Sequence, residues 1–328
     1  MDATKGILIT LMIWTHIHTW GTHFFNFVFS FHMAAFFIIS GYLIGNKIYY
    51  LNSSNFILNR FKKLIKPYFF FCILGALVHC LWGEFEFLNQ QMIETTFLYM
   101  QPDWLYFGAG WFLWALLWGN IGLFFWVKCI DKKIDNRNIK KLVLFFLLIL
   151  LATDILKILN NYGLERAYFK FDSGLMAAVF CIIGFYIKEW NLLRFNKHSF
   201  AEGGVMLIIL LILAYYHTGN IANCFYTNGF VYIFTGIIGF YTIVFLACAL
   251  QPLYYVNSFF KIIGRYSLPI FAMHGICLSG MSTFLQIPVG KNVSILSGLL
   301  YTIIVIIVLI TIIRIYNNIL RNIYKIRY

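Results

Sequence analysis

Charged residues are scarce in this chain of 328 residues, which has 25 lysine and arginine residues and only 12 aspartate and glutamate residues. A water-soluble globular domain has roughly 25% charged residues, whereas 11% are charged here and 61% are hydrophobic. This composition excludes an ordinary soluble domain. It is typical of a protein whose helices cross a membrane, because each span needs ~20 mostly apolar residues.

The seven cysteines include no Cys-x-x-Cys pair, and no ligand spacing supports a metal or redox site. We therefore expect no metal cofactor, and most of these cysteines are expected to serve as small apolar residues. The sequence also lacks an A-x-A cleavage site after its first apolar stretch, so we expect that stretch to be retained as a membrane span.

The apolar stretches predict about ten transmembrane helices. They lie at 6–20, 24–44, 64–82, 109–127, 142–160, 174–187, 202–217, 229–250, 262–285 and 295–317. Few residues remain outside these spans. We therefore predict an all-α polytopic membrane protein, with residues 1–328 forming one integral-membrane domain and no separate soluble domain.

The positions of the basic residues predict the orientation of the chain. If the N-terminus is cytoplasmic, the outer segments contain only Lys157, Arg166, Lys170 and Lys291 of the basic residues. Cytoplasmic loops carry an excess of lysine and arginine, so both termini are predicted to be cytoplasmic. The basic groups are scattered over several segments, which does not favour a nucleic-acid partner. Membrane lipids are the expected surroundings, and the oligomeric state cannot be read from the pattern.

Ionisable residues inside a membrane are costly and are therefore the first functional candidates. On a helix, Asp2, Lys5 and His16 lie along one stripe, and His16 lies ~16 Å beyond Lys5, near the membrane midplane. His18 points about 200° away from His16. Imidazole readily accepts a proton near neutral pH, so His16, Asp2 and Lys5 are the catalytic candidates. A hydrogen bond between helices, or a water-filled pore, would also explain a histidine at this depth.

The second span supplies His32, Ser40 and Tyr42 as candidates for substrate binding. The alternative for Ser40 and the adjacent Gly41 is that small residues allow close helix packing. His274 is a further candidate in the ninth span. Trp111, with the tryptophans that follow it, could stack on a sugar or belong to an aromatic belt at the outer interface.

A basic stretch, 60–67, precedes the third span. Arg60 and Lys63 share a helical face if the helix begins early, and Lys62 lies between them. Arginine and lysine can bind the phosphates of a soluble anionic substrate. The alternative is that these residues anchor the helix at the cytoplasmic surface and hold anionic lipid.

Taken in order, these motifs resemble acyltransferase family 3, a family of membrane-bound enzymes that includes bacterial polysaccharide O-acetyltransferases. The resemblance covers most of the chain. It rests on Asp2-x-x-Lys5-Gly6 with His16, Phe31-His32-Met33-Ala34-Ala35-Phe36-Phe37, Ser40-Gly41-Tyr42, Arg60 to Pro67, Trp111-Phe112-Leu113, and Ile263-Gly264-Arg265-Tyr266-Ser267 with His274.

The resemblance implies transfer of an acyl group, commonly acetyl from acetyl-CoA, to a hydroxyl of an extracytoplasmic or lipid-linked glycan at the inner (plasma) membrane. The resemblance implies that His16 corresponds to the family's essential histidine and that Lys5 corresponds to the arginine of an Arg-x10-His pattern. It also implies that the pair Arg60 and Lys63 corresponds to an Arg-x-x-Arg motif. Lysine replaces arginine at both 5 and 63, so the charge is kept but the bidentate geometry is lost. Ala34 also stands where many relatives have proline.

Two other functions remain open from the sequence. Embedded histidines could relay protons in a secondary transporter of a small anion or glycan intermediate, which internal inverted repeats would favour. Alternatively, the two lysine replacements could mark a structural partner of a glycan-assembly complex.

Overall fold

The computed structural model describes residues 1–17, 23–83, 89–131, 138–193, 199–287 and 293–325, so His18 and Lys291 lie outside it. These residues are almost entirely helical. The α-helices are α1 Asp2–Ile17, α2 His23–Phe29, α3 His32–Ile44, α4 Ser53–Leu81, α5 Gln90–Phe97, α6 Trp111–Phe125, α7 Asn138–Asn161, α8 Phe171–Glu189, α9 Ser199–Tyr216, α10 Gly229–Ala249, α11 Tyr254–Arg265, α12 Ser267–Leu285 and α13 Ile295–Lys325. Two short strands, β1 Gly219–Asn220 and β2 Phe225–Tyr226, pair antiparallel.

Eight helical segments of the described residues are long and apolar enough to cross a membrane. They are His23–Tyr50, Ser53–Leu81, Gly108–Asp131, Lys140–Asn161, Tyr168–Glu189, Gly229–Ala249, Ser267–Leu285 and Ile295–Asn318. The two remaining predicted spans correspond to shorter helices, α1 with 16 residues and the apolar segment Phe200–Tyr216. The prediction of an all-α polytopic membrane protein is confirmed.

Three predicted spans have different limits in the structure. The span predicted at 24–44 is broken between α2 and α3, at Phe31, whose backbone is not helical. The span predicted from residue 64 begins at Ser53, because the side chain of Asn52 caps the helix by accepting a hydrogen bond from the Ser54 amide.

The span predicted at 262–285 is two helices. Pro269 has no amide hydrogen and cannot bond to the carbonyl four residues earlier. α11 therefore ends at Arg265 and α12 begins at Ser267, with Tyr266 between the two helices. Apolar content alone did not reveal that α11 begins as early as Tyr254, because this helix is amphipathic and carries many polar residues.

The chain divides into two compact units. Unit 1 comprises Met1–Val28 and Leu246–Tyr328, and unit 2 comprises Phe29–Phe245. In unit 1, α1 packs on α11, α12 and α13. In unit 2, α8 packs on α3, α6 and α7, and α6 also packs on α4.

Within unit 2, glycines bring the backbones of α3 and α8 into direct contact. A β-carbon at Gly41 would overlap the backbone carbonyl of Cys181, and one at Gly184 would overlap that of Ile38. Close approach of helices through small residues replaces the hydrophobic driving force that is missing between helices in lipid. The packing interpretation of Gly41 is therefore confirmed.

Within unit 1, two distant sequence motifs meet in the same way. A β-carbon at Gly6 of α1 would overlap the carbonyl of Phe260, and one at Gly264 of α11 would overlap the carbonyl of Asp2. The Lys5-Gly6 motif and the Gly264-Arg265 motif are thus the two sides of one helix crossing.

Candidate functional site

The site residues predicted from the sequence fall into two groups, one in each unit. Unit 1 contains His16, Asp2, Lys5 and His274, and unit 2 contains the remaining predicted residues: His32, Ser40, Tyr42, Arg60, Lys62, Lys63 and Trp111.

The structure places His16 beside His274. His16 is on the last turn of α1 and His274 is in the middle of α12, and their ring centroids are 5.1 Å apart with the planes tilted by 43°. His16 is partly accessible, whereas His274 is 5% exposed. The sequence identified both residues as candidates, but no periodicity could show that they form a pair.

The backbone of α12 orients His274. Its Nδ1 lies 2.5 Å from the carbonyl oxygen of Phe271. A carbonyl oxygen can only accept, so we assign the proton to Nδ1, which leaves Nε2 with the lone pair. His274 therefore has a fixed ring and a nitrogen that can accept a hydrogen bond or a proton.

An ion pair occupies the start of α1. Lys5 Nζ donates to Asp2 Oδ1 at 2.9 Å, and Arg265 Nε lies 3.9 Å from Asp2 Oδ2. The hydrogen bond from Lys5 is the main cause that lowers the pKa of Asp2 below its ordinary value. The carboxylate is therefore ionised at neutral pH, and the group carries a net positive charge that is partly open to solvent.

This ion pair does not touch the histidine pair. Eleven residues of α1 separate Lys5 from His16, a rise of ~16 Å. Ile9 and Met12, which lie between them on the same stripe, are buried. The predicted stripe is thus polar only at its two ends, and a substrate that reached both would have to extend over that distance.

In unit 2, the basic stretch lies within α4 and not before it. Lys62 and Lys63 are exposed, while Arg60 is half-buried and its guanidinium lies over the Phe56 ring at 5.3 Å from the centroid. The early start of α4 meets the condition under which Arg60 and Lys63 share a face. Of these three cations, Arg60 points furthest into the protein.

Ser40 and Tyr42 of α3 have partners inside unit 2. Ser40 Oγ donates to Asn120 Oδ1 of α6 at 2.9 Å, and Lys188 Nζ lies over the Tyr42 ring at 5.1 Å from its centroid. Asn120 is not among the residues predicted from the sequence. It is a buried polar residue in an apolar helix, which is the same signal that drew attention to His16.

His32 and Trp111 are both buried. The His32 ring packs edge-on against Phe29, with centroids 4.8 Å apart. Trp111 and Trp114 are 8% and 7% exposed, so they do not face lipid as an aromatic belt would.

A buried polar cluster at the start of α8 was also missed. Arg166 Nε donates to Asp172 Oδ2 at 2.6 Å, and Lys170 Nζ donates to Gln101 Oε1 at 2.6 Å and to the Ala222 carbonyl at 3.2 Å. Arg166 and Lys170 are two of the few basic residues predicted to be outside. Their rarity there was the available signal.

Together these arrangements offer two kinds of chemistry. The histidine pair of unit 1 can accept and hold a proton within the helical layer. The cations at the start of α1 and along α4 can bind anionic groups.

Comparison with known proteins identifies the family. The family model described as an acyltransferase domain, acyltransferase family 3, matches residues 1–314. The nodulation protein NolL of Mesorhizobium japonicum is 29% identical over 124 residues, which cover 35% of this chain and 32% of that protein. The match thus spans about a third of the relative's length, and no solved structure matches the chain. The chain belongs to acyltransferase family 3 and is a multi-pass membrane protein.

Proposed function

We propose that this protein is an integral-membrane O-acyltransferase of the inner (plasma) membrane. It moves an acyl group, acetyl in the first instance, from cytoplasmic acetyl-CoA to a hydroxyl of an extracytoplasmic or lipid-linked glycan. The observation that carries the proposal is the pairing of His16 with His274 within a chain of an acyltransferase family.

His16 acts as the general base. It removes the proton from the acceptor hydroxyl as the oxygen attacks the thioester carbonyl, and a carbon–oxygen bond forms. The tetrahedral intermediate then collapses with cleavage of the carbon–sulfur bond, and the proton held by His16 passes to the departing CoA sulfur. Proton transfer by a positioned imidazole contributes about 10²–10⁴-fold to such reactions.

His274 is the positioning partner of His16. Its Nδ1 is engaged by the Phe271 carbonyl, so Nε2 is the nitrogen left to accept a hydrogen bond. The pair cannot carry two positive charges at this separation without repulsion. One imidazole of the pair is therefore neutral, which keeps a base present when the other holds the proton.

Cations bind the donor. Arg60 and Lys63 share a face of α4, and Lys62 lies next to Lys63 on the same turn. These cations are suited to the phosphates of CoA, with Arg60 supplying a fork of donors and the lysines supplying point charges. A second positive charge lies at the start of α1, where Lys5 and Arg265 flank the single carboxylate of Asp2. These are the positions at which a donor from the cytoplasm would first meet the protein.

The test uses purified full-length protein with acetyl-CoA labelled in the acetyl group, and follows CoA release and label transfer to an acceptor glycan. We expect His16→Ala to lower CoA release by at least ~100-fold, with His23→Ala, which changes an exposed histidine, as the matched control. Full activity of His16→Ala would refute the base assignment. A transporter would release no CoA and transfer no label even as the unaltered protein.

A further inference from the structure

The side-chain amide of Asn120 is buried, and its NH₂ group has no hydrogen-bond partner among the described residues. The side chain is 1% exposed, and Ser40 donates to its Oδ1. Among the described residues, its Nδ2 has no hydrogen-bond partner. An unmet buried donor costs about 1–3 kcal/mol, so such a group in a native protein calls for a ligand or a water molecule.

The hydrogen bond from Ser40 determines which end of the amide is left over. The Ser40 hydroxyl donates to Oδ1 of Asn120, so the NH₂ group is the end without a partner among the described residues. The free group can only donate, so its ligand must present an acceptor atom.

Arg60 on α4 and Asn120 on α6 lie at the same level along the two helices. The ring of Phe56 in α4 stacks on that of Phe124 in α6, with centroids 4.9 Å apart. Further along α4, Phe61 meets Trp114, so the two helices run antiparallel. Arg60 is one turn after Phe56, and Asn120 is one turn before Phe124. Both therefore lie one turn from the stacked rings on the same side.

Arg60 is itself without an acceptor in the part of the chain that the structure describes, where its contact is the Phe56 ring. The nearest ionisable group on α8 is the thiol of Cys181, which donates to the carbonyl of Phe37. A guanidinium has five N–H donors in a planar fork, and an amide adds two more. Such a cluster of donors, carrying one positive charge, matches the oxygens of a phosphate group.

We infer that Asn120, held by Ser40, binds a phosphate group together with Arg60. The site lies seven residues into α4, ~10 Å from its first residue, so a ligand from the cytoplasm could reach it under the predicted topology. If the phosphate belongs to CoA, this inference rests on the proposed function. An anionic lipid headgroup offers the same chemistry, and the test distinguishes these two sources.

Binding of CoA to the full-length protein in nanodiscs is measured by calorimetry. Asn120→Asp keeps an oxygen for Ser40 but replaces the donor with a carboxylate that pairs with Arg60. We expect the CoA dissociation constant to rise about 10–100-fold, because a hydrogen bond to a charged group is worth about 1.5–3 kcal/mol. Ser40→Ala, which only frees the amide to rotate, should raise it by a smaller factor.

Asn257→Asp is the matched control, because it makes the same change at another buried asparagine, in α11, and it should leave the dissociation constant unchanged. Thermal unfolding of each variant verifies that it is folded. If Asn120→Asp fails to fold, Ser40→Ala decides the result, since it preserves Asn120.

A parallel measurement uses native mass spectrometry to count the phosphatidylglycerol molecules that remain bound to the protein. The number of bound phosphatidylcholine molecules is measured for comparison. Loss of CoA affinity in Asn120→Asp assigns the site to the donor, and loss of retained phosphatidylglycerol alone assigns it to a lipid. The inference is overturned if neither changes. If the unaltered protein binds no CoA, the donor in the proposed function is wrong, and the lipid measurement alone decides this inference.

Discussion

At the scale of single residues, the two replacements of arginine by lysine have different consequences. Lys5 Nζ reaches one oxygen of Asp2, while Arg265 approaches the other. A point charge is sufficient for a single oxygen, so the fork of an arginine is not needed there. Lys63 is exposed, and the fork on that face is supplied by Arg60. At residue 5 the loss of bidentate geometry therefore leaves neither oxygen of Asp2 without a nearby cation.

Replacing His274 separates a role in proton transfer from a role in packing. His274→Asn retains a donor for the Phe271 carbonyl but removes Nε2, so we expect kcat to fall ~100-fold while KM for acetyl-CoA stays the same. His274→Gln, which puts a polar group near the position of Nε2, should retain more activity. Steady-state kinetics with corrections for folded protein measure both.

If His274 only fills space, both variants would lower the unfolding temperature and leave kcat per folded molecule unchanged. A change confined to KM would instead make it a residue for substrate binding. Either result would contradict the positioning role.

At the scale of helices, the crossing of α1 and α11 sets the geometry of the ion pair at residues 2, 5 and 265. The backbones touch at Gly6 and Gly264, and this contact brings Arg265 to Asp2. The side chain of Trp14 adds a bond from α1 to the carbonyl of Ile295, at the start of α13. The orientation of α1 within unit 1 thus depends on contacts between segments that lie far apart in the sequence.

A methyl group at this crossing should separate the helices. Gly264→Ala puts a β-carbon against the carbonyl of Asp2, and we expect a loss of about 1–3 kcal/mol of stability, together with reduced activity. Gly204→Ala is the matched control. Its β-carbon would meet no atom within 4 Å, and alanine is favoured over glycine inside a helix by about 1 kcal/mol.

Unfolding in detergent, followed by intrinsic fluorescence, measures both glycine variants. A Gly264→Ala protein as stable and active as Gly204→Ala would show that the crossing tolerates a wider spacing.

The sequence predicted the existence of the long helices, and it failed at their limits. The apolar stretch of a span is visible in composition because lipid demands it. The start of α4 depends on the Asn52 cap. The division of α11 from α12 lies beside Pro269. Both are local features within a polar or mixed segment. Hydrophobic periodicity does not reveal such features, because they depend on single polar or proline residues.

At the scale of the whole molecule, the exposed apolar surface is the surface that meets lipid. Along α7, exposed side chains include Leu142, Val143, Phe146 and Leu147. These would be a liability in water, whereas in a membrane they need no partner. Exposed apolar side chains along a helix are therefore what contact with lipid requires.

The predicted orientation can be tested with native cysteines. Cys80, near the end of α4, and Cys129, beyond α6, are both exposed, and the topology puts them on opposite sides of the membrane. A membrane-impermeant maleimide should label Cys80 on intact spheroplasts and Cys129 only after lysis. Cys80→Ser should abolish the first signal, and Cys129→Ser should leave it unchanged.

Labelling of Cys129 on intact spheroplasts, without labelling of Cys80, would reverse the orientation. Acetyl-CoA could not then reach Arg60 from the cytoplasm by the route proposed.

The sequence by itself determined the membrane class, the family and the identity of most candidate residues, because each depends on composition or on motif order along the chain. Only the tertiary structure decided which of those residues meet. His16 and His274 are paired, Gly6 and Gly264 form one crossing, and Asn120 joins Ser40 at the level of Arg60. Helical periodicity specifies the face of one helix but not the neighbour that the face meets, since that is decided by packing between residues far apart in the chain.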